Sequence, residues 1–532
     1  MSNEIISADV VVVGSGVAGS LVAYELSRMG IKNIILLEAG PKIARQAIVN
    51  NFYKSIDSHN YMEPYPMAIH APHPNPSHPE GYIIEKGANR YNTQYMRVVG
   101  GTTWHWAGCT WRLVPNDFKI KTLYGIGRDW PLQYNELEPF YELMEKEMGV
   151  SGNDDLGSPR KSDYPMKGLA FTYMDSYIEK KLAPKYKVIL EPLAKNSVEY
   201  DSRPPCCGNN NCMPICPIGA QYSAIIHVEK AEKNGVRLME NSVAYFIETD
   251  SNLTVTAIYI KTPSGQKKVV KGKYFVLAAN GIEIPKLLLL STSEKNPRGV
   301  ANRSDLVGRF LMDHPGINRT VTLKDPIYGG RGPVELSAIL EYRDGNLRKT
   351  MASKKIHFGT QVNFKEISDS LIEQGYTGNE LKEKFKYRAI RTFGIGSFHE
   401  QLPDFNNRVS LSNKVDAIGI KRPLIHYSIE DYVKKSGVDT IAKMNEIAKM
   451  LGAEEITKAK GFDPNNHIMG TTIMGSTEKD SVVNKDCRTH ENNNLYIASS
   501  SVMPSSACVN PTGTIAALSL RIANTIYKQI AK

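Results

Sequence analysis

One stretch constrains this chain more than any other. Asp9-Val10-Val11-Val12-Val13 is a short β-branched run, followed at once by Gly14-Ser15-Gly16-Val17-Ala18-Gly19. Such a run reads as a buried parallel strand, and the glycines fit a G-x-G-x-x-G turn. The first glycine permits a tight turn, the second a close backbone approach to a pyrophosphate, the third close packing of helix on strand. Val17, Leu21 and Tyr24 then share one helical face, which puts the motif at a helix N-terminus, where free N–H groups and the dipole favour phosphate. A second strand, Ile34–Leu37, ends in Glu38, about 20 residues past the glycines, where a ribose-binding carboxylate belongs. Strand, glycines, helix, strand and acid in register predict a dinucleotide site without choosing between FAD and NAD.

The remaining chain is organised around that unit. From about Asn50 to Asn92 the sequence is rich in Pro, His, Asn and Tyr with little periodicity, and reads as a long surface excursion of the kind that serves as a lid or binds a partner. Val98-Val99-Gly100-Gly101-Thr102-Thr103-Trp104-His105-Trp106-Ala107-Gly108 follows, offering bare N–H groups and hydroxyls to a phosphate or ring edge beside a flat apolar wall. Tyr274–Leu277, leading into Ala278-Ala279-Asn280-Gly281, is another buried strand ending in small residues, over which a ligand can lie. Pro285 and Leu287–Leu290 start a helix. Asn494–Ala498 forms a further strand, and Ile515, Leu518, Ile522 and Ile526 stripe a last helix. The expected fold is α/β: a Rossmann-like nucleotide-binding domain from discontinuous segments (1–320 and 454–532), with an inserted α+β substrate domain (321–453) carrying an antiparallel sheet.

Bulk properties exclude some functions. The net charge of +10 is spread over 65 basic and 55 acidic residues with no long Lys/Arg block; this is a solvated surface, not a nucleic-acid footprint. No apolar run approaches the ~20 residues that span a bilayer. The N-terminus reaches its first strand with no room for a signal peptide, so export would ride on a partner. Of seven cysteines, four crowd into Cys206, Cys207, Cys212 and Cys216, unlike the spread of a disulfide scaffold. Thiolates clustered with Gly and Pro in a segment (204–220) too irregular for a helix or strand are how iron–sulfur clusters are held; a zinc site and a disulfide pair are the alternatives.

Together the glycine fingerprint with Glu38, the Gly100–Gly108 loop, Val276–Leu290, Asp313-His314-Pro315 and Asn510-Pro511-Thr512 resemble the glucose–methanol–choline (GMC) oxidoreductases. The segment from Cys206 to Cys216 narrows the resemblance to the flavoprotein subunits of bacterial membrane-associated sugar dehydrogenases: the FAD glucose, fructose, sorbitol and gluconate 2-dehydrogenases. The resemblance implies FAD and an iron–sulfur cluster, usually [3Fe–4S], with Cys206, Cys212 and Cys216 as ligands and Cys207 as the doubtful fourth. It also implies a complex with a small export-guiding subunit and a multihaem c-type cytochrome, periplasmic and held on the inner membrane through those partners. Flavin contacts are carried over to Gly14, Gly16, Val17, Ala18, Gly19, Glu38, Ala39, Gly101, Thr102, Thr103, His105, Trp106, Ala107, Gly108, Val243, Ala279, Asn280, Ser500, Asn510, Pro511 and Thr512.

Oxidising an alcohol by hydride transfer requires removal of the hydroxyl proton, a task for a near-neutral imidazole. His467, ahead of Met474-Gly475, matches the family's active-site histidine and Asn510 its partner; Asn466 adjoins them as a substrate contact. His105 stands where some members bond the flavin covalently; a histidine that packs on or hydrogen-bonds to the ring is the other reading. His314 is assigned to loop structure, and Cys109 and Cys508 to packing near the flavin. Trp106, Asn280 and Ser499-Ser500 depart from the broad family pattern. The implied activity is dehydrogenation of a sugar, sugar acid or polyol, with electrons relayed through the cluster to cytochrome or quinone. An FAD carbohydrate oxidase making peroxide is the alternative. A sugar acid would want a cation in the pocket, and sequence alone does not place Arg343, Arg388 or Arg391 there.

Overall fold

The structure, a computed structural model, describes residues 4–55, 61–74, 81–153 and 157–531. Its centre is a five-stranded sheet in the order Leu495–Ile497, Tyr274–Leu277, Val10–Val13, Ile34–Leu37, Arg237–Met239, every pairing parallel. Parallel strands are covered on both faces, which is why they read as unbroken apolar runs; all four residues of Val10–Val13 are buried. Helix Val17–Arg28 packs on this sheet and against helices Ile225–Lys233 and Thr512–Ile530. Of the striped residues in that last helix, Leu518, Ile522 and Ile526 are fully buried.

Two glycines set how closely helix and sheet meet. Gly14 has φ +104°, and a Cβ on it would lie 2.8 Å from the Ala278 carbonyl oxygen. A Cβ on Gly19 would fall 1.8 Å from the Gly14 carbonyl oxygen. The turn therefore lies directly on the end of the neighbouring Tyr274–Leu277 strand.

A second, six-stranded antiparallel sheet runs Ala453–Ile456, Asn318–Leu323, Thr392–His399, Lys354–Gly359, Glu335–Ile339, Val188–Leu190. Helices Asp431–Met450 and Tyr173–Leu182 back it, and it has its own apolar core. One edge strand, Val188–Leu190, comes from well ahead of residue 321. Conversely, Arg408–Val415 and Lys421–His426 lie outside this sheet: they pair with each other, and Lys421–His426 pairs with Ile84–Lys86, beside helix Glu283–Leu290.

The excursion expected at Asn50–Asn92 is more embedded than its composition suggests. Helix Arg45–Lys54 extends into it, Met62, Tyr65, Ala71 and Tyr82 are buried, and Tyr61 lines the cavity described below. Residues 56–60 and 75–80 of that stretch lie outside the described residues. Among the described residues, no helix is long and apolar enough to cross a membrane.

Candidate active site

Between the two sheets, at the C-terminal ends of the parallel strands, lies a cavity of about 500 Å³. Gly14, Gly16, Val17, Ala18, Glu38 and Ala39 line one end. Glu38 is buried and accepts hydrogen bonds from the Ser15 N–H (3.0 Å), the Ser15 hydroxyl (2.7 Å) and the Gly40 N–H (3.1 Å). Burial raises its pKa, against the pull of those donors. The Gly100 N–H donates to Ser15 Oγ at 3.2 Å, tying the second glycine loop to the first. Gly19 acts by packing and does not reach the cavity. Val243 is buried, while its neighbours Ser242 and Ala244 supply the lining.

Gly101, Thr102, Thr103, His105, Trp106, Ala107 and Gly108 form the middle of the wall. The threonine hydroxyls are occupied in building it. Thr103 Oγ1 donates to Gly100 O (2.7 Å) and accepts from Ala224 N (2.9 Å), and Thr102 Oγ1 accepts from Met96 N (3.1 Å). Opposite lie Ala279, Asn280, Ser500, Pro511 and Thr512. Asn280 Oδ1 accepts the Ile282 and Glu283 N–H groups, so the helix starts at Glu283, ahead of the expected Pro285. His105 is buried and its Nε2 has no hydrogen-bond partner among the described residues. Burial lowers its pKa to about 4, so the ring is neutral. A buried nitrogen left without a partner costs free energy; on a cavity wall it fits a ligand atom.

At the far end His467, Asn466 and Asn510 come together. His314, expected to serve only the loop, packs directly on His467: their Nδ1 atoms are 2.8 Å apart. His314 Nε2 faces the carbonyl oxygens of Ser506 (3.1 Å) and Ala507 (2.9 Å). Carbonyls only accept, so Nε2 carries the proton. Burial lowers the His314 pKa to about 4, leaving the ring neutral and its Nδ1 an acceptor. His467 must then donate through Nδ1, which leaves its Nε2 as the acceptor. Burial, then His314 and Lys355, push the His467 pKa well below normal. Asp313 fixes the segment, accepting from His467 N (2.9 Å) and Asn465 N (3.2 Å). Asn510 Nδ2 lies 3.4 Å from His467 Nε2, while its Oδ1 accepts from Lys355 Nζ at 3.1 Å. Asn466 lends its Oδ1 to Gln94 N at 2.7 Å, so that side chain is partly engaged in holding the loop.

Sequence reasoning did not find the charged block behind Asn510. Lys355 Nζ also contacts Glu191 Oε2 (2.6 Å) and Glu335 Oε1 (3.2 Å), and Cys109 donates to Glu335 Oε2 (3.3 Å). Trp111 Nε1 donates to Glu191 at 3.0 Å. Lys354-Lys355 opening an otherwise apolar strand was the available signal, since a buried lysine needs a carboxylate.

The cysteine segment lies beside the cavity, with Met213 on its wall. All four cysteines are free, so the disulfide alternative is not realised; Cys212 and Cys216 are buried, Cys206 half-buried and Cys207 exposed. Cys206 feels the Cys212 and Cys216 thiols and the Lys195 ammonium. Lys195 Nζ donates to Ala107 O at 2.7 Å, and Gln221 Nε2 to Trp106 O at 2.8 Å and to Cys212 O at 3.4 Å, so Gln221 ties the segment to the cavity wall. Among the described residues, the trio of ligand-type atoms within 4.8 Å of one another is Cys109, Glu191 and Glu335, already filled by the Lys355 ammonium. No three of the thiols at 206–216 have their sulfurs within 4.8 Å of one another, so they do not stand as a preformed tetrahedral zinc site.

Comparison with known proteins settles the family. Residues 403–519 match the GMC oxidoreductase family and residues 9–68 the FAD dependent oxidoreductases. The chain is 44% identical to the fructose dehydrogenase large subunit of Gluconobacter japonicus, over 100% of this chain and 99% of that one. The chain belongs to the GMC oxidoreductase family. This GMC oxidoreductase is also 28% identical to a 2-methyl-1,2-propanediol dehydrogenase of Mycolicibacterium austroafricanum, over 100% of this chain and 97% of the other. In fold it is similar to pyridoxine 4-oxidase from Mesorbium loti (TM-score 0.66, 16% identity, 98% and 99% of the two chains). It is an FAD-dependent oxidoreductase acting on CH–OH groups. The glycine cradle, the buried Glu38 and the unpartnered His105 Nε2 fit that cofactor.

Proposed function

We propose that this chain is the catalytic flavoprotein subunit of a dehydrogenase of sugars or polyols, with a non-oxygen electron acceptor. The observation that carries this reading is the tautomer chain at His467: two carbonyls fix His314, His314 fixes His467, and the His467 Nε2 lone pair is left at the cavity end with the Asn510 amide 3.4 Å away. Full-length similarity to a fructose dehydrogenase large subunit supports the substrate class.

FAD, when bound, supplies the hydride acceptor at N5. The chain does the remainder. The Asn510 amide hydrogen-bonds the substrate hydroxyl oxygen, and His467 Nε2 takes the hydroxyl proton as the adjacent C–H bond breaks. The Nδ1–H of His467 stays on His314, so the imidazolium that forms keeps a hydrogen bond. Asp313 and the Lys355 contact hold both groups in register before substrate arrives.

Cys206, Cys212 and Cys216 would hold an iron–sulfur cluster, a one-electron carrier, with Cys207 outside the ligand set. The reading also takes a [3Fe–4S] type, a small export-guiding subunit, a multihaem c-type cytochrome and a periplasmic, membrane-peripheral location; the relative named as a large subunit supports a multi-subunit assembly. His105 would contact the flavin ring, by a covalent bond or a hydrogen bond.

The test compares Cys212→Ser with wild type in the purified complex. Dye reduction with sugar should persist while cytochrome reduction falls by at least tenfold. Undiminished cytochrome reduction by folded, flavin-loaded variant would sink the relay. Oxygen uptake with peroxide release, in place of cytochrome reduction, would favour the oxidase.

A further inference from the structure

Behind the flavin wall lies a buried lysine with no acid to pair with. Four lysines are buried: Lys195, Lys286, Lys354 and Lys355. Three of them meet carboxylates, Lys286 at Glu283 (3.1 Å), Lys354 at Asp439 (2.5 Å) and Lys355 at Glu191 (2.6 Å). Lys195 is 1% exposed, yet among the described residues no Asp or Glu lies within 4.0 Å of its Nζ. Its Nζ donates to Ala107 O at 2.7 Å. Its side chain runs under Gly108, where a Cβ would fall 3.1 Å from Lys195 Cε. Ala107 and Gly108 both line the flavin cavity, so the Lys195 head group sits directly behind that wall.

The ionisable groups that act on Lys195 are sulfurs: Cys212 most, then Cys109 and Cys206. Its backbone bridges to Gln221, just past the cysteine segment, and Cys206 N donates to the carbonyl of the next residue, Asn196, at 2.8 Å. A second cation holds the segment elsewhere. Arg45 donates to Cys216 O at 2.8 Å and lies 5.1 Å over the Trp104 ring, likewise with no carboxylate within 4.0 Å among the described residues. Residues 204–220 contain no Asp or Glu. A cation taken out of water needs an anion beside it, and here the groups in place to become anionic are the thiols. Thiolates bound to iron fit that need.

We propose that Lys195 is the counter-ion of the centre held by Cys206, Cys212 and Cys216, and that it raises the reduction potential of that centre. This rests on the iron–sulfur reading above and gives a role to a residue outside the ligand set. One electron passes to the centre from flavin that substrate oxidation has reduced. No bond forms or breaks, Lys195 keeps its proton, and the centre gains one negative charge. A fixed ammonium stabilises that added charge, most of all where water is excluded. Net charge and hydrogen bonding around the sulfurs are what set such potentials. The Ala107 carbonyl keeps the ammonium from turning away, on the side from which the electron arrives.

The test follows the centre by electron paramagnetic resonance through a redox titration of the purified, flavin-loaded protein, beside iron and sulfide analysis. Lys195→Met and Lys195→Gln remove the charge, and Lys195→Arg keeps it. At the wild-type midpoint the reduced-to-oxidised ratio should fall tenfold or more in the uncharged variants, a drop of about 59 mV for one electron, and by less in Lys195→Arg. An iron-loaded uncharged variant that titrates at the wild-type potential overturns the proposal alone. If neither uncharged variant yields iron-loaded protein, Lys195→Arg decides: iron kept at the wild-type level supports a counter-ion, and iron lost there too overturns it. Wild type free of iron and sulfide after anaerobic purification sinks the cluster reading, and this proposal with it.

Discussion

His314 and His467 lie 153 residues apart in sequence, with Nδ1 atoms at 2.8 Å, and in the proposed mechanism this contact decides which His467 nitrogen takes the proton. Replacing His467 with Ala removes the base and should lower kcat by about 10²–10⁴-fold with flavin content unchanged. His314→Phe keeps a ring in place but lets His467 take either tautomer. A fall of about 10²-fold or more in kcat is expected, by analogy with losses seen when an orienting partner is changed, with KM little altered. Stopped-flow reduction of the bound flavin by substrate measures both. That His467 and Asn510 would line one cavity was legible because each sits in a short local motif. The partners were not. Nothing within Asp313-His314-Pro315 says which ring it will meet, and Lys355, Glu191 and Glu335 converge from three separate strands or strand ends. A buried ion pair leaves no periodicity for a sequence to display.

At the scale of elements, the contact between the glycine turn and its helix is the tightest constraint. A Cβ on Gly19 would overlap the Gly14 carbonyl oxygen, which is backbone and cannot rotate away. Gly19→Ala should therefore displace the helix start, costing about 1–3 kcal/mol as overpacking does, and release flavin. The flavin absorbance retained through gel filtration, read beside the melting temperature, checks both effects. This unit could be read in advance because strand, turn, helix and acid are contiguous. The antiparallel sheet was expected as well, but not its Val188–Leu190 edge, which pairs with Glu335–Ile339 from far along the chain. Likewise the start of helix Glu283–Leu290 is set by the Asn280 side chain, a cap that the conspicuous Pro285 masked.

Across the whole molecule, buried neutral histidines set the acid limit. Burial lowers the pKa of His105, His314 and His357 to about 4 and that of His399 to about 3, from 6.5. Below 6.5 the unfolded chain binds protons at these rings that the folded chain refuses. Stability is thus unaffected by them above pH 6.5 and falls as pH drops from there towards 4. Each ring contributes up to about 1.4 kcal/mol per pH unit across that window. Melting temperatures should decline steadily between pH 6.5 and 4, and a His399→Gln variant, hydrogen-bonded but untitratable, should show a shallower slope. A flat profile would mean that other groups compensate.

The central sheet places Leu495–Ile497 next to Tyr274–Leu277, itself next to Val10–Val13, and lays the Thr512–Ile530 helix on Val17–Arg28. The first nucleotide-binding unit leaves the ribosome early but lacks its outer strand and covering helix until residues 495–530 have been made. Contacts this distant in sequence form late. Stable flavin binding is therefore expected only once residues 495–530 are in place, and a chain truncated before residue 495 should not retain flavin through gel filtration.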